Sequence, residues 1–162
     1  MKKLVWVWVA AATVMFSCQS KGNKAEIVAE SATDSLYMVN DSTLGEMQTY
    51  VYEGILPAAD CEGIKYLLTI QSQENSGNGN YSLTTTYIGA DKGKDQSFQS
   101  KGKRLTQRGI PSNKNATVYQ LIPEDGSESI FFLAQGDSTL TLLSSDMELP
   151  ESGLNYTIKK VK

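Results

Sequence analysis

The 162-residue chain carries 15 basic and 18 acidic residues, two cysteines and no histidine. Without histidine the chain has no Ser-His-Asp or Cys-His catalysis, no imidazole general base and no histidine-ligated zinc. The net charge of −3 argues against nucleic acid as a partner, because neutralising phosphates requires a basic face.

The first 17 residues have the pattern of an export signal. Lys2 and Lys3 precede the apolar run LVWVWVAAATVMF, which ends at Ser17 and Cys18. A run of 13 apolar residues is shorter than the roughly 20 that a membrane-spanning helix needs. We therefore predict a signal peptide over residues 1–17 in preference to a spanning helix.

The sequence Met15-Phe16-Ser17-Cys18 resembles the lipobox of bacterial lipoproteins. The resemblance implies that cleavage leaves Cys18 as the mature N-terminus, carrying a diacylglyceryl thioether and an amide-linked acyl chain. Each buried methylene contributes about 0.8 kcal/mol, so two or more chains hold a protein stably on a membrane. Cys18 is therefore the predicted lipid-attachment residue, and acylation makes its thiol unavailable to a metal or a disulfide.

The remainder of the chain divides into a tether and one domain. Residues 18–46 are polar and rich in small side chains, which predicts an acylated N-terminus followed by a flexible tether. From residue 47 onwards, apolar and aromatic residues alternate with polar ones between Gly, Asn, Ser and Pro clusters, and this pattern is typical of β-strands. We predict a single folded domain over residues 47–162.

The alternation predicts about eight short antiparallel strands. The first is MQTYVYEGIL, and the next two place Ile64, Tyr66, Leu68 and Ile70 on one face and Tyr81, Leu83, Thr85 and Tyr87 on another. Further strands are expected around residues 97–99, 103–108, 117–122, 129–134, 139–143 and 155–161. Closure removes exposed strand edges, so the predicted fold class is all-β, a small antiparallel lipocalin-like or OB-like β-barrel.

Two local features of the sequence allow further predictions. The basic residues of the central region alternate with Gly, Ser and Asp, which predicts a solvated loop face; they are Lys92, Lys94, Lys101, Lys103, Arg104 and Arg108. Adjacent Phe131 and Phe132 must send one ring to each side of their strand, so we expect the core to cover one and a loop or a partner to cover the other.

The segments YEGILPAADCEGIKYLLTI, YSLTTTYIGA and IFFLAQGDSTLTLLSSDMELPESGLNYTIKK resemble the N-terminal domain of the NlpE lipoprotein family. That family runs from a tyrosine-glycine strand into Leu-Pro-Cys-Ala-Asp-Cys-x-Gly-Ile and ends near a Leu-Asn-Tyr sequence. The matching residues here are Tyr52, Gly54, Leu56, Pro57, Ala59, Asp60, Cys61, Gly63, Ile64, Tyr87, Gly89, Leu154, Asn155 and Tyr156. The family-motif loop comprises Leu56, Pro57, Ala58, Asp60, Cys61 and Gly63, and we expect Gly63 to supply a positive φ.

The resemblance implies a lipid-anchored outer-membrane protein that faces the periplasm, in a family linked to copper tolerance, surface-stress signalling and adhesion. Two cysteines three positions apart can bind Cu(I) or form a redox couple, but Ala58 stands where the first belongs. We therefore expect no cofactor and a Cys61 that packs as a small hydrophobe. The less favoured alternative is copper at Cys61 with thioethers from Met38, Met47 or Met147.

Two functions remain open at this point. The first is a non-enzymatic envelope lipoprotein whose barrel binds a partner protein or senses envelope stress. The second is a carrier whose inward-facing residues keep an apolar cavity open for a small lipid-like ligand; these are Tyr50, Tyr52, Tyr66, Leu68, Tyr81 and Tyr87. We expect no hydrolase at Glu53, Asp60 and Glu62, because neighbours on an exposed turn seldom face one another across a cleft.

Overall fold

The computed structural model describes residues 41–162, which form a closed barrel of eight antiparallel strands. The strands are β1 Met47–Leu56, β2 Gly63–Gln73, β3 Asn78–Asp91, β4 Lys94–Ile110, β5 Asn113–Pro123, β6 Ile130–Gln135, β7 Thr139–Leu142 and β8 Thr157–Lys160. Each strand pairs with its neighbours in sequence, and β1 also pairs with β8. The predicted all-β barrel is confirmed. Its up-and-down order is that of lipocalins, whereas an OB fold has five strands in Greek-key order.

The connections between strands lie at two opposite ends of the barrel, because successive strands run in opposite directions. Residues 74–77, 111–112 and 136–138 connect the strands at one end, which we call the cavity end. Residues 57–62, 92–93, 124–129 and 143–156 connect them at the other. We call this second end the motif end, since it carries the family-motif loop.

The inner faces of the strands enclose one hydrophobic core. Its buried members are Tyr52, Leu56, Leu68, Ile70, Tyr81, Leu83, Leu121, Phe132, Leu140 and Ile158. The face predicted for β2 is confirmed, since Leu68 and Ile70 are buried and Tyr66 packs against the core. Removing such side chains from water is the main term that favours folding.

A short seam between β1 and β8 closes the barrel. Tyr52 pairs with Lys160 and Glu53 with Lys159, and the Val161 amide donates to the Val51 carbonyl at 2.7 Å. A Cβ atom on the neighbouring Gly54 would lie only 2.9 Å from the Thr157 carbonyl oxygen. Glycine at that position therefore allows the two strands to approach each other.

A second hydrophobic cluster lies on the outer face of the barrel. It contains Ile110, Ala116, Val118, Leu133 and Leu143, with Phe131 and Met147 packed against it. Leu143 and Met147 belong to the connection between β7 and β8, which therefore covers this part of the outer face. Phe132 is fully buried inside the barrel, so the expectation of one covered ring on each face is confirmed.

Strand β4 differs from the prediction in two respects. The segments predicted around residues 97–99 and 103–108 are parts of one 17-residue strand, so not every strand is short. The basic residues of this region lie on β4, apart from Lys92 in the preceding turn, and the prediction of a loop face is wrong. Most are exposed, but Arg104 is only 4% exposed. It lies opposite Gly79 of β3, where no side chain competes for the interior.

The folded part begins before residue 47. Ser42–Leu44 form a 3₁₀ turn, and the Asp41 amide donates to Gln73 Oε1 at 3.1 Å. Gln73 Nε2 donates in return to the Asp41 carbonyl at 2.7 Å and to the Gly45 carbonyl at 3.0 Å. Residues 41–46, predicted as the end of the tether, are thus held against β2.

The predicted signal peptide, the lipid-attachment residue Cys18 and residues 18–40 of the tether lie outside the described residues. Within residues 41–162 the structure shows no helix with the length and apolar character that crossing a membrane requires.

Candidate functional site

A cavity of about 350 Å³ lies inside the barrel at the cavity end. Residues that line it come from β1, β2, β4, β5 and β8 and from two connections; they are Tyr50, Tyr52, Ile70, Ser72, Glu74, Ser76, Arg104, Thr106, Thr117, Tyr119, Asp137 and Lys160. The lining is largely aromatic and polar. It therefore differs from the apolar cavity of the carrier hypothesis.

The residues predicted to keep a cavity open divide into two groups. Tyr50 and Tyr52 line the cavity, whereas Leu68 and Tyr81 fill the core beside it. The Tyr66 ring packs edge-on against Phe132, with 6.3 Å between ring centroids. Tyr87 packs against Phe98 at 5.6 Å and does not line the cavity.

Arg104 is the buried charged residue of the cavity wall. Its Nη1 donates to the Gly77 carbonyl at 2.7 Å and to the hydroxyl of Thr106. Its Cζ atom lies 4.9 Å from the centroid of the Tyr119 ring. Its Nε is buried and has no hydrogen-bond partner among the described residues. The two ion pairs found between residues 41 and 162 involve other side chains: Lys65 with Glu53 and Lys101 with Glu124.

Burial shifts the pKa values of two cavity residues, Arg104 and Tyr52. Desolvation lowers the pKa of Arg104, and the nearby hydroxyls of Tyr119, Tyr52 and Tyr50 oppose that shift. An arginine nevertheless stays protonated in proteins, so the cavity wall carries a fixed positive charge. Burial also raises the pKa of Tyr52 to about 12. Its hydroxyl therefore stays neutral and able to donate at neutral pH.

The other charges of the cavity lie towards solvent. Glu74 and Asp137 are exposed on the connections that form the rim. Lys160 is half-buried, with Nζ 4.4 Å from the centroid of the Tyr50 ring. The deeply buried charge is therefore positive, and the acidic groups remain hydrated at the mouth.

The family-motif loop lies at the opposite end. Leu56 is 2% exposed and packs in the core, whereas Pro57 and Ala58 are half-buried and Asp60 is exposed. Cys61 is half-buried, and its thiol donates to the Gly63 carbonyl at 3.3 Å. Gly63 has the predicted positive φ, +154°, and a Cβ atom there would lie 2.8 Å from Ile55 Cγ2. Leu56, Cys61 and Gly63 of this loop thus make structural contacts.

The described residues do not fit a copper centre at Cys61. Ala58 has no ligating atom. Met47 pairs with Gln73 at the cavity end of β1, roughly 30 Å from Leu56 at about 3.3 Å per residue. Met147 packs in the outer cluster, and Met38 lies outside the described residues. Between residues 41 and 162 no group of three or more Cys, Asp and Glu side chains has metal-binding geometry.

The acidic residues of this region lie in different surroundings. Glu53 forms an ion pair with Lys65 at 3.0 Å, and both side chains are substantially exposed. Glu62 lies near Gly89, and Asp60 is exposed in the loop.

Sequence comparison finds a curated relative and a family. Cytochrome f of Cyanidium caldarium is 26% identical to this chain over 129 residues, which are 79% of this chain, and the match spans 38% of that protein's length. No solved structure matches the chain significantly. The family model for the NlpE N-terminal domain matches residues 52–153, from β1 into the connection before β8. The chain therefore belongs to the family of the NlpE N-terminal domain, an envelope-stress or copper-related lipoprotein family.

Proposed function

We propose that this protein is a lipid-anchored, non-enzymatic envelope lipoprotein that binds a small molecule inside its barrel. The observation that carries the proposal is the cavity of about 350 Å³ at the cavity end, with a buried arginine in its wall. Ligand pockets commonly measure about 300–1,000 Å³ and combine apolar surface with a few polar groups. The tyrosines and Ile70 provide the apolar surface, and Arg104 provides the polar group.

Binding rather than turnover fits the residues of the cavity. The sequence has no histidine, and the two acids of the lining are exposed at its rim. Exposed carboxylates lack the desolvated surroundings that tune a general acid or base to neutral pH. The arrangement therefore favours a ligand that is held and released unchanged.

Mass spectrometry of the native full-length protein tests the binding role. Protein extracted in mild detergent should carry a bound small molecule that survives transfer to the gas phase. The substitution Ser72→Trp places a large ring in the cavity wall and should remove that mass, whereas Ser82→Trp, on the exposed side of β3, should leave it. If wild-type protein carries no bound mass under any extraction condition, the binding role is wrong.

Anchoring at Cys18 is the second part of the proposal. It is supported by the lipobox-like sequence and by the family, and it would place the barrel on the outer membrane, facing the periplasm. Metabolic labelling with an acyl probe should mark wild-type protein and Cys61→Ala but not Cys18→Ala. Label that persists in Cys18→Ala would refute the assignment. Protease protection in intact cells, lost after the outer membrane is opened, tests the periplasmic orientation.

One observation favours a protein partner as a second candidate function. The first part of β4, residues 94–100, pairs with β3, whereas pairing with β5 begins only at Gly102. One edge of this hairpin therefore has no described neighbour, and Phe98 beside it is 52% exposed. An extended segment of an envelope protein can add to such an edge by main-chain hydrogen bonds.

Site-specific photo-crosslinking tests the protein partner. A photoreactive amino acid at position 98 should give one defined adduct in intact envelopes, and the same probe at exposed Leu154 serves as the control. An identical spread of weak adducts from both positions would contradict this second function.

A further inference from the structure

We propose that the cavity binds a small organic anion, with the ligand's carboxylate on Arg104 and its apolar part against the rings of Tyr50, Tyr52 and Tyr119. This inference rests on the proposed binding function and deepens it by naming the class of ligand.

The Arg104 guanidinium has hydrogen-bonding capacity that residues 41–162 do not use. Both of its recorded hydrogen bonds come from Nη1, to the Gly77 carbonyl and the Thr106 hydroxyl. These two bonds fix the plane of the group, while the buried Nε has no partner among the described residues. Buried donors are nearly always satisfied in folded proteins. A carboxylate is the group that accepts paired N–H bonds from a guanidinium in one plane.

Among the described residues, the charge of Arg104 also has no counter-ion. A buried charge is normally paired, because removing it from water is unfavourable. Neither of the ion pairs within residues 41–162 includes Arg104, and the lining acids Glu74 and Asp137 are exposed at the rim. Within the described part of the chain, the cavity therefore supplies a positive charge and leaves the matching negative charge to a ligand.

The surroundings of Arg104 select an organic anion over a bare inorganic one. The Tyr119 ring lies beneath the guanidinium, and Tyr50, Tyr52 and Ile70 add aromatic and aliphatic surface to the same cavity. The buried Tyr52 hydroxyl, neutral at physiological pH, can donate to an anion. A ligand with a carboxylate and a compact ring or chain would satisfy the charge and cover the apolar wall together.

Benzoate and benzamide form a matched pair of probes, because they share a ring and nearly the same shape and differ in charge. The sequence has only two arginines, Arg104 and Arg108. An NMR spectrum of arginine Nε–H groups in the full-length protein should therefore show two signals, assigned with Arg104→Gln and Arg108→Gln. Benzoate should shift the Arg104 signal saturably and leave that of Arg108, which is exposed. Benzamide should bind at least tenfold more weakly.

Substitution gives the second test. Arg104→Gln should weaken benzoate binding at least tenfold, measured by calorimetry or by shifts of the cavity tyrosines. Arg108→Gln has the same change of charge on the same strand, outside the cavity lining, and should bind as wild type does. If Arg104→Gln does not fold, the comparison of benzoate with benzamide on wild-type protein still tests whether the cavity binds an anion.

The outcomes separate this inference from the proposed function. Equal binding of benzoate and benzamide, with an unmoved Arg104 signal, overturns the anion site and leaves a cavity that binds neutral molecules. Binding of inorganic phosphate as tight as that of benzoate overturns the role of the tyrosine rings. If neither probe perturbs a cavity residue and purified protein carries no bound molecule, the binding function fails, and the inference fails with it.

Discussion

The two ends of the barrel differ in what their residues do. At the motif end the interior is filled, because Leu56 packs in the core. At the cavity end the interior is open, polar and charged, with Arg104 buried in its wall. The sequence stretch that most clearly marks the family therefore lies at the end where side chains fill the barrel. The space suited to a ligand lies at the other end.

The residues that identify a family can therefore be residues that shape its fold. Gly63 is required by a close approach to Ile55, and Cys61 donates to the Gly63 carbonyl within the loop. Such contacts explain how the hairpin between β1 and β2 closes. They say little about ligand binding, which we propose for the opposite end.

The largest expected loss of stability comes from a substitution in the filled interior. Phe132→Ala removes a fully buried ring and should lower the free energy of unfolding by about 3–5 kcal/mol, through lost burial and the cavity left behind. Urea denaturation followed by circular dichroism measures it. The control is Phe131→Ala, in the partly exposed outer cluster, which should cost less. Equal losses would mean that the inner core does not dominate stability.

Replacing Arg104 with an apolar residue should not destabilise the protein. Arg104→Met keeps much of the side-chain volume but removes a buried charge that has no ion-pair partner within residues 41–162. The free energy of unfolding should therefore stay the same or rise by about 1–2 kcal/mol. The lost hydrogen bond to the Gly77 carbonyl opposes part of that gain. The same urea titration measures it, with Arg108→Met as the exposed control. A loss as large as that of Phe132→Ala would show that Arg104 is primarily a structural residue.

The buried tyrosines predict a loss of stability in alkali. Burial raises the pKa of Tyr52 from 10.0 to about 12, so between these values the unfolded chain loses the proton while the folded protein keeps it. Stability is therefore fully present below pH 10 and falls as the pH rises towards 12. Tyr52→Phe should make this decline shallower, by on the order of 1 kcal/mol at pH 12.

Urea midpoints measured at intervals between pH 9 and pH 12 test the tyrosine prediction. Some decline should remain in the variant, because burial also raises the pKa of Tyr66 and Tyr81. If the two proteins lose stability in parallel over this range, the Tyr52 hydroxyl is not the group that titrates.

The smallest expected effect is at Cys61. Cys61→Ser should change stability by less than about 1 kcal/mol, because the side chain is half-buried and its contact is one weak thiol bond. Wild type and Cys61→Ser should compete equally, and poorly, for Cu(I) with a chelator. Ala58→Cys restores the paired cysteines of the family pattern and should gain affinity through Cys61. Tight stoichiometric binding by wild type that Cys61→Ser abolishes would contradict the separation of roles between the two ends.

The barrel itself could be predicted because its inner faces follow the strand period. Leu68 and Ile70 on β2, and Tyr81 and Leu83 on β3, alternate with polar residues and are buried as that pattern requires. The charge pattern of the central region predicts a solvated loop face, and this prediction fails on β4, a continuous strand. In the structure Arg104 faces inward instead. The pairing of Arg104 with Gly79, which no local pattern reveals, determines this orientation.

The character of the cavity could not be predicted for a related reason. Alternation identifies inward tyrosines but not how far along the barrel each one lies. Tyr50 and Tyr52 reach the open end, whereas Tyr81 packs in the filled interior. The position of each residue along the barrel axis depends on the register between strands. That register is fixed by pairings between residues that are distant in sequence, such as Tyr52 with Leu68. Lys160 lines the cavity only because β8 pairs with β1.

The seam between β1 and β8 has a consequence for biogenesis. It joins the first and last strands of the described chain through only a few pairings. One edge of β1 therefore remains unpaired during synthesis until β8 has been translated. Any product that stops upstream of Thr157 would expose adhesive edges on both β1 and β7. Such fragments should aggregate or be degraded rather than accumulate as partly working barrels.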